Sequence, residues 1–220
     1  MPRTYALTDI HGCLGKLERL VARCQADAGA EPSRFVFLGD FIDRGPDSRG
    51  VLEFVMNLQG RCPGRVTCLC GNHEDLALAA IDDPSEIAQW VTLNGGDKAL
   101  RSYGVTAPSE LPASHVGWMR ALQTHHDDGL RFFVHAGVNP SRSLDRQDRH
   151  DMLWIREPFL SDPHDYGRFI VHGHTPLRGG QPDLRANRVN IDTAAVLGGP
   201  LTAAVFDDRH AAPIGFLQEE

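Results

Sequence analysis

The sequence has no cluster of basic residues, no C-x-x-C pair and no long apolar run. Its formal net charge is −7, so electrostatic attraction to a nucleic-acid backbone is not indicated and we expect no nucleic-acid duplex as a partner. A membrane-spanning helix needs roughly 20 consecutive apolar residues, and no run approaches that length. These absences argue against a duplex-binding protein and against a membrane protein.

The cysteine pattern indicates a reducing compartment. Five cysteines leave one unpaired in any disulfide scheme. Cys68 and Cys70 share one face of a predicted strand, where we expect them to pack as small apolar side chains and not as metal ligands. The first predicted strand begins so early that it leaves no room for a signal peptide. We therefore expect a cytoplasmic protein.

No Pro-, Gly- or Ser-rich linker divides the chain, which predicts a single domain over residues 1–220. Residues 82–124 differ from their surroundings, because aromatic and leucine residues are scattered among predicted helical stretches and no strong strand pattern occurs. We expect this segment to be a helical insertion or cap near the entrance of a site.

Short apolar runs rich in β-branched and aromatic residues predict buried strands. The predicted strands are 5–8, 35–38, 66–70, 130–135, 168–172, 188–192, 201–206 and 213–217. Helical spacing of apolar residues after each of the first three strands predicts an α/β layer, and the later strands, which lack helices between them, predict a second sheet. The expected fold class is α/β, with two mixed β-sheets packed as a sandwich flanked by helices.

A polar motif follows each of five predicted strands. The motifs are Asp9-Ile10-His11-Gly12, Gly39-Asp40-Phe41-Ile42-Asp43-Arg44-Gly45, Gly71-Asn72-His73-Glu74, His135-Ala136-Gly137 and His172-Gly173-His174. If these strands are neighbours in one sheet, their carboxyl ends meet at one edge, where open α/β sheets bind ligands. We therefore expect the motif residues to meet in space.

The motif residues offer carboxylate, amide and imidazole groups to a metal. The candidate ligands are Asp9, His11, Asp40, Asn72, His135 and His174. Asp40 has two carboxylate oxygens and can bridge two cations. Nitrogen and oxygen ligands without thiolate suit Mn²⁺, Fe or Zn²⁺. Two such ions at about 3.5 to 4 Å can share a hydroxide and hold a phosphoryl oxygen during in-line displacement.

Cationic and proton-donating groups complete the predicted site. The planar guanidinium of Arg44 suits phosphate oxygens, and Arg156 is a second candidate, with a helix-terminal ion pair as its alternative role. His73 is the expected proton donor to a leaving alkoxide. Asp43 is expected to form a hydrogen bond with the His73 ring and to raise the pKa of His73 toward the working pH.

The motif set resembles the phosphoprotein phosphatase family of the calcineurin-like metallophosphoesterases, especially bacterial serine/threonine protein phosphatases. The resemblance covers residues 9–174, and Thr8 and Ala194 stand where the family usually has glycine. It implies one metal on Asp9, His11 and Asp40 and another on Asp40, Asn72, His135 and His174. It also implies substrate phosphate on Arg44, Asn72 and Arg156, with His73 as acid and Asp43 behind it.

The resemblance implies a metal-dependent phosphatase that hydrolyses phosphomonoesters of phosphoserine and phosphothreonine proteins, or of small phosphoester substrates. Two divalent ions, Mn²⁺ first and Fe or Zn²⁺ as alternatives, would provide a bridging hydroxide for direct attack. The alternative is hydrolysis of dinucleoside polyphosphates by a bis(5'-nucleosyl)-tetraphosphatase-like enzyme. Members of that branch tend to differ at the Asp43 position and to have Asp in place of Glu74, so this alternative comes second.

Two other interpretations are less favoured. A phosphodiesterase of the wider superfamily would have another histidine two residues after the late Gly-His, where this chain has Pro176. A non-enzymatic scaffold would have lost ligands or the residue at His73, and all are present. His172 is expected to lie in the core and not to bind metal. The sequence does not specify the oligomeric state.

Overall fold

Two five-stranded mixed sheets form the centre of the structure, a computed structural model that describes residues 2–220. The strands are Arg3–Leu7 (β1), Ser33–Phe37 (β2), Val66–Cys68 (β3), His125–Asp127 (β4), Arg131–Val134 (β5), Phe169–His172 (β6), Asp183–Leu184 (β7), Arg188–Asn190 (β8), Leu201–Phe206 (β9) and Gly215–Glu219 (β10). The first sheet has the order β10-β9-β1-β2-β3 and the second has the order β4-β5-β6-β8-β7.

Helices connect the early strands and fill the middle of the chain. The α-helices are Leu14–Ala28 (α1), Ser48–Arg61 (α2), Asn72–Asp82 (α3), Gly96–Tyr103 (α4), Ala113–Arg120 (α5) and Arg149–Trp154 (α6). A π-helical turn at Ala88–Thr92 and several 3₁₀ turns lie between them. Residues 82–124 contain helical elements and turns, and their role as a cap over the site stays a prediction.

The expectation of an α/β fold with two mixed sheets is confirmed. In the first sheet β1, β2 and β3 are parallel, while β9 and β10 run antiparallel to their neighbours. In the second sheet β5, β6 and β8 are parallel, and β4 and β7 are antiparallel edge strands. Each sheet covers the apolar face of the other, which is why the later strands form a separate layer.

The five motif strands are not all neighbours in one sheet, so the condition set for their convergence is not met in that form. Three of them, β1, β2 and β3, belong to the first sheet, and β5 and β6 belong to the second. Apolar side chains from both sheets pack in the space between them, including Val36 and Leu38 from one side and Phe133 and Val171 from the other. The motifs therefore meet across a sandwich and not along a single sheet.

Helix α1 illustrates how the outer layer forms. Its buried residues are Leu17, Leu20, Val21 and Cys24, at the spacing that places side chains on one helical face. They join a core that includes Leu7 and Phe37 from the first sheet. This burial, and not local helix propensity alone, fixes the helix against the sheet.

Two edge strands were not expected from the sequence. Strand β4 contains only polar residues and β7 is only two residues long, so neither sequence shows apolar alternation. Strand β10 was expected at 213–217 and runs from Gly215 to Glu219. Among residues 2–220 no helix combines the length and apolar character required to cross a bilayer. All five cysteines are free, and the cytoplasmic location stays a prediction.

Replacing a buried strand leucine with alanine tests the described core. Leu7→Ala removes a fully buried side chain from β1, and we expect the free energy of unfolding to fall by about 2 to 5 kcal/mol. Leu184→Ala in β7 is the matched control, because that side chain is half exposed and its loss should cost less than about 0.5 kcal/mol. Urea unfolding followed by circular dichroism measures both, and equal losses would contradict this core.

Candidate metal centre

The six predicted ligands come together where the carboxyl ends of parallel strands from both sheets meet. The residues follow β1, β2, β3, β5 and β6, in the loops immediately after each strand or at the start of α3. They are Asp9, His11, Asp40, Asn72, His135 and His174, and all are buried. The position agrees with the expected location of ligand sites in sheets of this kind.

Asp40 lies at the centre of the cluster and belongs to two groups of candidate ligands. One group is His11, Asp40 and His73, and the other is Asp40, His135 and His174; within each, the ligand atoms lie within 4.8 Å of one another. Asp40 Oδ2 is 3.4 Å from His11 Nε2, and Asp40 Oδ1 is 3.5 Å from His135 Nε2. Its two oxygens thus face different histidines, as a bridging carboxylate requires.

Asn72 joins the second group through its amide oxygen. Asn72 Oδ1 is 2.9 Å from His135 Nε2 and 3.0 Å from His174 Nδ1. Ligands bound at about 2.0 to 2.2 Å to one cation are separated by about 3 to 3.5 Å, so these three atoms have the spacing of a common coordination shell. The chemistry and the spacing of the donors both fit a divalent cation.

Asp9 lies farther from the neighbouring histidine ligand His11 than Asp40 does. Its Oδ1 is 4.0 Å from His11 Nε2. Its Oδ2 accepts hydrogen bonds from the Thr8 hydroxyl at 2.7 Å and from the His174 backbone N–H at 3.0 Å. One oxygen therefore orients the side chain while the other faces His11, and the residue Thr8, where the family usually has glycine, contributes to that orientation.

Burial sets the charge state of the cluster. Burial, with the negative charges of Asp9 and Glu74, raises the pKa of Asp40 well above its ordinary value. Burial also lowers the pKa of His11 to about 4 and that of His174 to about 3. Buried carboxylates beside neutral imidazoles are the combination that cations stabilise, since they supply the missing positive charge and bind the neutral form of histidine.

The second ring nitrogens of two histidines are held by backbone carbonyls. His11 Nδ1 lies 2.7 Å from the Ile42 carbonyl oxygen, and His135 Nδ1 lies 3.0 Å from that of Leu38. Because a carbonyl only accepts, each Nδ1 donates a proton and each Nε2 keeps its lone pair. This is the arrangement typical of metal-binding histidines.

His73 and Asp43 form a buried pair next to the cluster. His73 Nδ1 is 2.6 Å from Asp43 Oδ2, and the Trp90 indole N–H donates to the same oxygen at 2.8 Å. The His73 Nε2 atom has no hydrogen-bond partner among residues 2–220 and lies 3.9 Å from Asp40 Oδ2. The pair predicted from the sequence is therefore present, with one ring nitrogen left for chemistry.

The expectation that Asp43 raises the pKa of His73 is wrong. Burial, together with the neighbouring His11 and the positive charge of Arg44, lowers the pKa of His73 well below its ordinary value. Burial likewise raises the pKa of Asp43. The reason is that both groups are fully buried, and the loss of hydration opposes the charged form of each.

The two candidate phosphate-binding arginines are both exposed at the cluster. Arg44 Nη1 is 3.0 Å from His11 Nε2. Arg156 follows the end of α6, and its positive charge contributes to the lowered pKa of His174. Its side chain has no ion pair or hydrogen bond with the residues that the structure describes, so the alternative role as a helix-terminal ion-pair partner is not observed.

Unusual backbone conformations are concentrated at the cluster. Seven of the described residues 2–220 other than glycine have positive φ, and six of them are predicted site residues. The six are Asp9, His11, Asp40, Asp43, Arg44 and His174. Such conformations cost of order 1 to 3 kcal/mol each and persist only where surrounding contacts enforce them. Here these backbone conformations direct side chains that follow several strands toward one point.

Glu74 connects two of the ligand loops. Its carboxylate accepts backbone N–H bonds from Asp40, Phe41 and Gly71, each at 2.9 Å, and a longer one from Ile42 at 3.4 Å. The loops approach so closely that a Cβ on Gly39 would lie 2.3 Å from the Gly71 nitrogen. Glycine at both positions and a carboxylate long enough to reach both loops allow Asp40 to lie next to Asn72.

Sequence reasoning missed the roles of some residues. Glu74 distinguishes two family branches in the sequence, but nothing in the sequence indicates that it joins two loops, and Trp90 belongs to none of the motifs. Asp192 is buried close enough for Asp9 to contribute to its raised pKa, which burial mainly causes. His172 lies in the core against Phe159, as expected, and outside both ligand groups.

The chain is similar to known proteins over most of its length. The model of the family described as calcineurin-like phosphoesterase matches residues 2–199. The chain is 31% identical to serine/threonine-protein phosphatase 1 of Salmonella typhimurium, over 91% of this chain and 90% of that protein. It is 30% identical to a symmetrical bis(5'-nucleosyl)-tetraphosphatase of Pseudomonas syringae pv. syringae, over 79% of this chain and only 55% of that protein.

A solved structure supports the fold. It belongs to a protein provisionally named a diadenosine tetraphosphatase, and it superposes with a TM-score of 0.74 over 99% of this chain and 94% of that one. The two sequences are 21% identical. At that level the likeness concerns the arrangement of strands and helices.

Glu74→Gln tests whether the link between the two loops holds the metal centre. The variant keeps the size of the side chain but turns an amide N–H toward backbone N–H groups, so we expect Mn²⁺ affinity to fall about 10- to 100-fold. Calorimetric titration of the metal-free protein measures it. Glu86→Gln, at an exposed position in the turn Pro84–Glu86, is the control. Unchanged affinity in Glu74→Gln would show that the loops are held in some other way.

Proposed function

Because the chain belongs to the calcineurin-like phosphoesterase family, we propose that it is a metal-dependent phosphatase acting on phosphomonoesters, with phosphoserine and phosphothreonine proteins as substrates. The coarser assignment, a hydrolase of the metallophosphoesterase class, follows from the family itself. The observation that supports the proposal best is local: Asp40 joins two ligand groups, and the unpartnered His73 Nε2 faces the same cluster.

We assign the ligands of two divalent cations to this cluster. Asp9, His11 and Asp40 would hold one, and Asp40, Asn72, His135 and His174 the other. Mn²⁺ is the proposed metal, with Fe or Zn²⁺ as alternatives, because the donors are nitrogen and oxygen without thiolate. When bound, such ions supply an activated water at neutral pH and neutralise charge on the phosphoryl group.

Arg44 and Arg156 are proposed to hold the phosphate oxygens that face solvent. Both guanidinium groups are exposed at the cluster, and both contribute to the electrostatics of buried site residues. A planar guanidinium can donate two parallel hydrogen bonds to one phosphate, which fixes its orientation as well as its charge. Asn72, between His135 and His174, would add its amide to this contact.

His73 is proposed to deliver the proton that the leaving oxygen needs. Asp43 fixes the Nδ1 side of the ring, so Nε2 is the atom available for transfer. Burial lowers the pKa of His73, whereas a phosphate ester placed against Nε2 brings negative charge, and negative charge nearby favours the imidazolium. Substrate binding would thus prepare the acid on which the reaction depends.

The protein substrate is favoured by the extent and the details of the similarity. The match to the serine/threonine phosphatase covers about nine-tenths of both chains, whereas this chain spans little more than half of the tetraphosphatase. Asp43 and Glu74 also follow the protein phosphatase pattern. Asp43 contacts His73 directly and Glu74 bridges the loops, so both differences concern the site itself.

Hydrolysis of dinucleoside polyphosphates is the second candidate. Several bacterial tetraphosphatases are 30% to 33% identical to this chain, and the same metal centre can cleave a phosphoanhydride. That reaction needs less proton donation, because a phosphate leaving group is a weaker base than an alkoxide. The role of His73 therefore separates the two candidates.

A substrate comparison tests the proposed specificity. With Mn²⁺ present we expect kcat/KM on a phosphoserine or phosphothreonine peptide to exceed that on diadenosine tetraphosphate by at least about tenfold. Removing the metal with a chelator should abolish both activities, and adding Mn²⁺ should restore them. Released phosphate and nucleotide products measure the two reactions. The opposite preference would favour the tetraphosphatase.

His73→Asn tests the proposed proton donor. We expect kcat on phosphomonoesters to fall about 10²- to 10⁴-fold, because the leaving alkoxide loses its proton source, while the metal content stays unchanged. Steady-state kinetics and elemental analysis of the purified variant give the two quantities. His164→Asn, at an exposed position, is the control. Loss of metal in His73→Asn would instead make His73 a ligand, consistent with its place beside His11 and Asp40.

A further inference from the structure

We propose that Trp90 is a positioning residue for the proton donor and that it acts through Asp43. The inference rests on the proposed function, since it assigns Trp90 to the step that His73 performs. It gives the helical insertion a part in catalysis beyond that of a cap at the site entrance. The observations that support it are one buried hydrogen bond, one close glycine contact and one backbone hydrogen bond.

The hydrogen bond joins Trp90 directly to the pair. The Trp90 Nε1–H donates to Asp43 Oδ2 at 2.8 Å, and the same oxygen is 2.6 Å from His73 Nδ1. The other oxygen, Asp43 Oδ1, has no hydrogen-bond partner among residues 2–220. The orientation of the carboxylate is therefore fixed through Oδ2 alone, and Trp90 is the side chain that holds this oxygen in place for His73.

The indole itself is tightly confined. Trp90 is fully buried and lies in the π-helical turn Ala88–Thr92, an irregular helical form that often occurs at functional sites. A Cβ on Gly96 would lie 2.6 Å from the indole ring, so the start of α4 can approach the ring only because this residue is glycine. Trp90 thus has a fixed position from which to orient Asp43.

A second contact links the same segment to the next residue of the site. The Arg44 backbone N–H donates to the Gly95 carbonyl oxygen at 3.2 Å. Asp43 and Arg44 both have positive φ, 73° and 63°, and need outside support to keep that conformation. Residues 90–96 therefore contact two consecutive residues of the proposed site. Asp43 hydrogen-bonds the proposed acid His73, and Arg44 is proposed to bind the phosphate.

The expected consequence of losing the indole N–H is specific. The Asp43 carboxylate becomes free to rotate, so the His73 ring is no longer fixed while the metal ligands stay in place. The defect should therefore appear in kcat for esters whose leaving group needs a proton. The defect should be small for esters whose leaving group departs without a proton. KM and metal content should change little.

Trp90→Phe removes the N–H and keeps an aromatic ring beside Gly96. We expect kcat on phenyl phosphate to fall about 10- to 100-fold and kcat on dinitrophenyl phosphate to fall less than about threefold. Trp118→Phe is the matched control, because Trp118 lies in the same helical insertion and its N–H donates to Gln59 at 2.9 Å, away from the pair. It should keep both rates close to those of the native chain.

A double-mutant cycle shows whether Trp90 acts through the pair. In a His73→Asn background the further change Trp90→Phe should cost almost nothing, since the acid it orients is absent. If Trp90→Phe slows that background by the same factor as the native chain, or slows both esters equally, the inference is wrong. If Trp90→Phe does not fold, the isosteric benzothienylalanine at position 90 removes the N–H with the ring volume kept, and the same outcomes apply.

The cycle also separates this inference from the proposed function. A native chain loaded with Mn²⁺ that hydrolyses neither ester, or a His73→Asn variant that slows both esters equally, would overturn the proposed role of the site. An active chain with an ester-dependent His73→Asn defect, combined with a Trp90→Phe variant that has native rates, would overturn only the role of Trp90.

Discussion

The Glu74 carboxylate is the contact on which the arrangement of the site depends. It accepts N–H groups from the loop after β2 and from the loop after β3, and so fixes Asp40 relative to Asn72 and His73. These hydrogen bonds replace the water that a buried carboxylate would otherwise need, and backbone N–H groups that would be buried without partners are satisfied at the same time. The contact therefore helps to hold Asp40, the member that the two candidate ligand groups share.

The site contains buried charges and strained backbone, and the rest of the fold must offset their energetic cost. Asp9, Asp40 and Glu74 are buried together, and several ligand residues adopt left-handed backbone conformations. Two apolar layers on either side of the first sheet stabilise the scaffold that enforces them. Divalent cations would offset much of the electrostatic cost of burying these carboxylates together. The cluster is therefore best understood as a metal centre.

Residues 82–124 add further contacts to the site. Trp90 and Gly95 contact Asp43 and Arg44, so the segment that was expected to shape substrate access also reaches the residues behind the proposed chemistry. Changes in this segment between relatives would then alter catalysis as well as specificity. The pKa of His73 also depends on its surroundings, because burial is the main cause of its lowering.

The sequence by itself determined most of the strands and the α/β class and predicted the candidate ligands, because a buried strand followed by a polar turn is a local pattern that a few adjacent residues reveal. Only the tertiary structure decided that the motif strands belong to two sheets, that Glu74 joins two loops and that Trp90 contacts Asp43, 47 positions away. It also reversed the expected pKa shift of His73, since burial depends on the whole fold. Contacts between distant residues and the loss of hydration leave no local signal in a chain, and they exist only once the layers have packed.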